Sequence, residues 1–170
     1  MMKKVFLLFI FVIFTLCGVG CAHEKYGEFS IDVVNTVSGV SAGMSKDGKL
    51  LVMSKDDQRQ AVFISGSRTE QVQLFNCSKA PKIFAKVQFF GRKGISILCI
   101  DLPDRKMDLK FYRHREVGND LTVNGKKAWI LDLREVSPNG RELRVVYEVQ
   151  GERERKTGTY NLSTNSIMVR

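Results

Sequence analysis

Asn124-Gly125 stands between two runs of alternating apolar and polar residues, and it limits the possible folds more than any other feature of the chain. Both residues tolerate the positive φ that a two-residue hairpin demands, so the flanking runs are expected to pair as adjacent strands. Further turn signals stand at Lys46-Asp47-Gly48, Gly91-Arg92-Lys93-Gly94, Pro138-Asn139-Gly140 and Gln150-Gly151. Strands joined by such short loops are antiparallel neighbours. The alternation between these breaks predicts strands at Phe29–Asn35, Leu50–Ser54, Ala61–Ser65, Ile83–Phe90, Ile95–Asp101 and Leu109–Arg115. Four more are predicted at Lys127–Glu135, Glu142–Val149, Thr157–Asn161 and Ser166–Val169. Glu70–Phe75 is read as a strand, although Ser67-Arg68-Thr69-Glu70 also matches a helical capping box. The expected fold is all-β: a single antiparallel β-sandwich or small β-barrel built of hairpins, spanning residues 29–170.

Side-chain alternation assigns the faces. Leu143, Val145, Tyr147 and Val149 fall on one side of their strand, opposite Glu142, Arg144 and Glu148. Trp129, Leu131 and Leu133 share a face, which predicts a buried Trp129 packed near Val145 and Tyr147. Ile95–Leu102 is apolar on both faces, as expected of a central strand covered from both sides. Glu152-Arg153-Glu154-Arg155-Lys156 is charged on both faces and belongs at a solvated hairpin arm.

The first residues, MMKKVFLLFIFVIFTLCGVGC, place Lys3 and Lys4 before an apolar run that ends in small residues. Charged, apolar and cleavage regions in that order are the layout of a secretory signal. Gly18-Val19-Gly20-Cys21 resembles the lipobox of bacterial exported lipoproteins, although Gly18 stands where that pattern usually has leucine. The resemblance implies a signal over residues 1–20, lipidation of Cys21, and a tether over residues 21–28. It also implies attachment to a membrane of the cell envelope. Ala22, in place of an aspartate, implies the outer membrane facing the periplasm if the cell has two membranes. Two alternatives remain: cleavage at Gly20-Cys21-Ala22 into a soluble secreted or periplasmic protein, or an uncleaved span over Val5–Ala22. Removing residues 1–20 leaves 25 Lys and Arg against 18 Asp and Glu, a charge of +7.

Candidate chemistry is sparse. Gly39-Val40-Ser41-Ala42-Gly43 matches the G-x-S-x-G elbow of serine hydrolases, but that motif needs a strand-to-helix turn and a histidine base. The chain continues into a turn, and His114 is the sole histidine downstream. His23, His114 and the cysteines lack metal-ligand spacing, so no metal and no cofactor are expected. Asp101, Asp104 and Asp108 around Pro103 read as a plain turn rather than a calcium loop. With Cys17 removed and Cys21 lipidated, Cys77 and Cys99 are the remaining pair, and an exported domain predicts a disulfide between them. Arg105, Lys106, Lys110, Arg113, His114 and Arg115 interleave with Phe111 and Tyr112. Behind an export signal such a stretch points to an anionic lipid or polysaccharide, or another envelope protein, and not to nucleic acid. Lys110, Arg113 and Arg115 are the expected contacts.

These observations favour a lipid-anchored envelope protein with a non-catalytic binding or structural domain. A lipocalin-like carrier is the alternative, with Phe84, Phe90 and Phe111 lining a cavity, and a hydrolase using Ser41 is the third.

Overall fold

The computed structural model describes residues 28–63 and 69–169. The signal over residues 1–20, Cys21, His23, the tether before residue 28 and the capping box at Ser67 lie outside the described residues. Among the described residues, thirteen strands form three antiparallel sheets. The first contains β1 (Val33–Asn35), β2 (Val40–Met44), β3 (Leu50–Lys55) and β4 (Gln58–Phe63) in chain order. The second contains β5 (Thr69–Asn76), β6 (Lys82–Phe89), β7 (Ile95–Asp101) and β8 (Arg113–Val117), again in chain order. The third runs from β9 (Thr122–Val123) through β10 (Lys126–Val136), β11 (Glu142–Val149) and β12 (Arg155–Asn161) to β13 (Ser166–Val169). Every sheet is an up-and-down meander, as short turns dictate, and none closes into a barrel.

The second sheet is the middle layer. Phe84, Ile97 and Cys99 pack against Ile130, Leu133, Val145, Tyr147 and Tyr160 of the third sheet. On the opposite face, Ile83, Ala85, Val87 and Ile100 pack against Val40, Ala42, Leu51, Met53 and Val62 of the first. The two-sided apolar pattern of Ile95–Leu102 therefore has the expected cause: β7 is covered on both sides.

Backbone and polar groups fix how the first sheet meets the second. Buried Asn35 donates from Nδ2 towards Asn76 Oδ1 (2.8 Å) and the carbonyls of Ala80 (2.9 Å), Cys77 (3.1 Å) and Lys82 (3.2 Å). Its Oδ1 accepts from the Ser38 amide and hydroxyl. The end of β1 is thus pinned to the β5–β6 turn. On the same side of the fold, Lys55, only 7% exposed, donates to the carbonyls of Asp104 and Met107. Gln58 accepts from the Leu109 amide and donates to Asp108, so the β3–β4 hairpin holds the loop before β8.

Several expectations are corrected. Leu109–Phe111 is a 3-10 turn, and the strand begins at Arg113, because the amides of Leu109, Phe111 and Tyr112 bond to Gln58, Asp108 and Leu109 rather than to β7. Residues Val40–Met44, which overlap the hydrolase-like motif and fall outside the predicted strands, form a full strand between β1 and β3. Trp129 is half-buried, not buried, whereas Ala128, Ile130 and Leu133 enter the core. A break in register between Ile130 and Asp132 moves the buried face by one residue, which strict alternation cannot anticipate.

The expected disulfide is not formed: Cys77 and Cys99 are both buried free thiols. Cys99 lies opposite Phe84 in β6, and Cys77 follows β5 on the far side of that strand. A separation of two strand spacings is about 10 Å, beyond the roughly 7 Å Cα limit for a bridge. Burial, with Cys99 nearby as a lesser contribution, pushes the Cys77 thiol up to about 11. Burial first, then Asp101, also raises that of Cys99.

Candidate binding cleft at Trp129

The G-x-S-x-G resemblance has a backbone explanation. Gly39 closes the β1–β2 turn with φ +76°, its amide bonded to the Asn35 carbonyl at 2.8 Å. Gly43 lies under the irregular start of the first strand, where an added Cβ would stand 1.4 Å from the Ser30 carbonyl oxygen. Ser41 sits mid-strand between Val34 and Ser54, and no hydrogen bond joins it to His114 among the described residues. His114 instead stacks on Tyr112, ring centroids 5.8 Å apart. Both glycines follow from backbone geometry, with no reference to a nucleophile.

The three cations expected to bind anions lie on the 3-10 turn before β8 and on β8 itself. Lys110 pairs with Asp108 at 3.2 Å, and hydrogen bonds from Gln58 and then Lys110 hold the Asp108 carboxyl below its usual range. Arg113 lies opposite Asp101 across the β7–β8 ladder. Arg115 lies opposite Cys99 on the same ladder. None of the three lines either of the two hollows described below. Nor do Phe84, Phe90 and Phe111 converge: Phe84 is fully buried, whereas Phe90 and Phe111 are 70% and 54% exposed.

Cations, an aromatic face and a hollow come together elsewhere. A cleft of about 340 Å³ opens between the β6–β7 hairpin, the segment after β8 and the start of β10. Its walls include Phe89, Arg92, Lys93, Glu116, Asp120, Lys127 and Trp129. The Lys93 ammonium lies 4.2 Å from the Trp129 ring centroid, and that of Lys127 lies 5.9 Å away. The negative face of an indole attracts such cations. Lys93 is also paired with Glu148, the residue opposite Trp129 on β11. Arg92 stacks over Phe89 at 5.0 Å. Neither Arg92 nor Lys127 makes a salt bridge among the described residues. A close approach holds the hairpin to β10, since a Cβ on Gly94 would come within 2.7 Å of the Ile130 carbonyl oxygen.

A larger hollow of about 510 Å³ lies over β10–β12, lined by Glu135, Glu142, Arg144 and Thr157 among others. Its lining has no aromatic ring and one cation against two carboxylates. The Trp129 cleft is chemically richer. Its cations can hold a phosphate or carboxylate, Trp129 can pack on the apolar face of a sugar or glycerol, and Glu116 and Asp120 can accept hydroxyl hydrogens. Sequence reading missed it because Trp129 was assigned to the core. The available signals were Lys126-Lys127 two residues before the tryptophan and Arg92-Lys93 within the glycine-bounded turn. No family model, curated protein or solved structure matches the chain.

Proposed function

We propose that the chain is a lipid-anchored protein of the cell envelope, attached through Cys21, whose β-domain binds an anionic envelope component without catalysis. The observation that carries the binding half of this reading is the Trp129 cleft, where Arg92 and Lys127 make no salt bridge among the described residues and stand beside a half-buried indole. The chemical class that fits is a polyol bearing phosphate or carboxylate, as in lipid headgroups, teichoic acids and lipopolysaccharide cores. The anchoring half rests on the lipobox-like residues Gly18 to Cys21.

Two measurements test the two halves. Metabolic acyl labelling is expected on the wild-type chain and absent from Cys21→Ser; equal labelling of both refutes the anchor. Equilibrium binding of the detergent-solubilised chain to lipopolysaccharide, teichoic acid and anionic phospholipid is expected to be weakened by Arg92→Glu with Lys127→Glu. Unchanged binding in that pair of substitutions refutes the cleft.

A further inference from the structure

We infer that the β6–β7 hairpin is a membrane-contacting tip, and that the anionic polyol taken by the Trp129 cleft is the headgroup of a phospholipid in the bilayer below it. This rests on the cleft reading above. The tip, residues 90–94, carries Phe90, which at 70% exposure is the most exposed large apolar side chain among the described residues. Leaving a phenylalanine in water forgoes the favourable transfer of its ring into an apolar surrounding. It is followed at once by Gly91, Arg92 and Lys93, so apolar and cationic groups leave the same turn. That is the chemistry of an interfacial contact: an apolar ring at the headgroup–acyl boundary, and cations among the phosphates. Trp129, half-buried directly behind Lys93, adds the side chain that most favours this depth of the membrane.

The placement of the chain's entry agrees. Asn35, at the end of β1, is pinned to the β5–β6 turn, and β6 runs from that turn to Phe89 and the tip. The start of the domain, where Phe29 bridges Ser45, lies at the other end of the first sheet from Asn35. The domain entry and the tip therefore lie on the same side of the fold. Glu28 is seven residues after Cys21, a span of at most about 25 Å at roughly 3.5 Å per residue. A lipid on Cys21 would hold that side of the domain against the bilayer. A free soluble phosphate would explain Arg92 and Lys127 but not the exposed ring beside them. A hydrophobic protein partner would explain the ring but not the cations.

The test uses the full chain carrying Phe90→Trp, reconstituted in vesicles with acyl chains brominated near the headgroup. Expected for vesicles containing phosphatidylglycerol is a blue shift and loss of the emission that the new indole adds to that of Trp129. Vesicles of phosphatidylcholine alone should quench it less, and so should Arg92→Glu in the same background. Raising salt from 0.1 to 1 M, which shortens the Debye length from about 10 to about 3 Å, should abolish the preference for the anionic lipid. Added emission that escapes quenching while the chain remains vesicle-bound overturns the tip, yet leaves the cleft to be judged by its binding to soluble anions. Quenching that is equal in neutral and anionic vesicles overturns the assignment of the headgroup. A chain that fails to bind either kind of vesicle overturns the inference entirely.

Discussion

Asn35→Ala removes one buried amide and should be among the most destabilising single changes in this fold. The two Nδ2 hydrogens are shared among four acceptors at 2.8–3.2 Å, and Oδ1 serves both the amide and hydroxyl of Ser38. Truncation leaves the Cys77 carbonyl and the Ser38 amide without a partner in the buried junction between sheets, while the Ala80 and Lys82 carbonyls keep the amides of Lys82 and Cys77. Each unsatisfied buried group costs about 1–3 kcal/mol, and adjacent losses overlap, so a total of about 2–4 kcal/mol is expected. Asn35→Asp sharpens the test. It keeps an acceptor for Ser38 but turns a carboxylate towards the carbonyls of Cys77, Ala80 and Lys82. Desolvation and those carbonyls would raise its folded pKa above the unfolded value of about 3.9. The penalty of the aspartate should therefore grow as pH rises above 4 and shrink below it, where the neutral acid can donate one bond. Equilibrium urea unfolding followed by circular dichroism, at neutral and acidic pH, measures both variants. A loss below about 1 kcal/mol for Asn35→Ala, or a pH-independent loss for Asn35→Asp, would refute the pinning of β1 to the β5–β6 turn.

Gly43→Ala must displace the Ser30–Asp32 segment and break its bonds to the Met44 and Ala42 carbonyls, a loss of about 2 kcal/mol. Ser41→Ala should stay within about 0.5 kcal/mol; thermal unfolding of the two variants compares them. Cys77 and Cys99 should resist alkylation in the folded protein and both react, without added reductant, once it is denatured, as mass analysis will show. Because burial raises the folded pKa of Cys77 from 9.0 to about 11, the stability from keeping it neutral is present below pH 9 and lost as pH rises towards 11. Lys55→Met should cost about 1–3 kcal/mol through loss of charged bonds to Asp104 and Met107, and limited proteolysis should then cut near those residues first.

The turns were the most legible part of this chain. Asn124 and Gly125 adopt φ of 51° and 74°, as a mirror-image hairpin turn requires, but the arm before them is the two-residue β9, which was not among the predicted strands, while β8 pairs with β7 in another sheet. The alternation of Leu143, Val145, Tyr147 and Val149 was equally faithful, because β11 pairs with β12 without a register shift and each of these side chains is buried. What misled was register. The irregularity between Ile130 and Asp132 carries no sequence mark, yet it decides whether Trp129 points into the core or into a cleft. At Leu109–Phe111, Gln58 from another sheet replaces the strand partner that the local pattern implied. The cleft needed three segments distant in sequence, residues 89–96, 116–120 and 127–130, so no single motif announced it.

The most direct test of the cleft is its own tryptophan. Emission of Trp129 in the full chain, titrated with glycerol phosphate in detergent, should change saturably as the anion displaces Lys93 or Lys127 from the ring. In Lys127→Glu the response should be lost or the midpoint raised by about tenfold or more, since loss of a charged contact costs about 1.5–3 kcal/mol. A flat or non-saturating titration, or a Lys127→Glu response identical to wild type, would contradict the account.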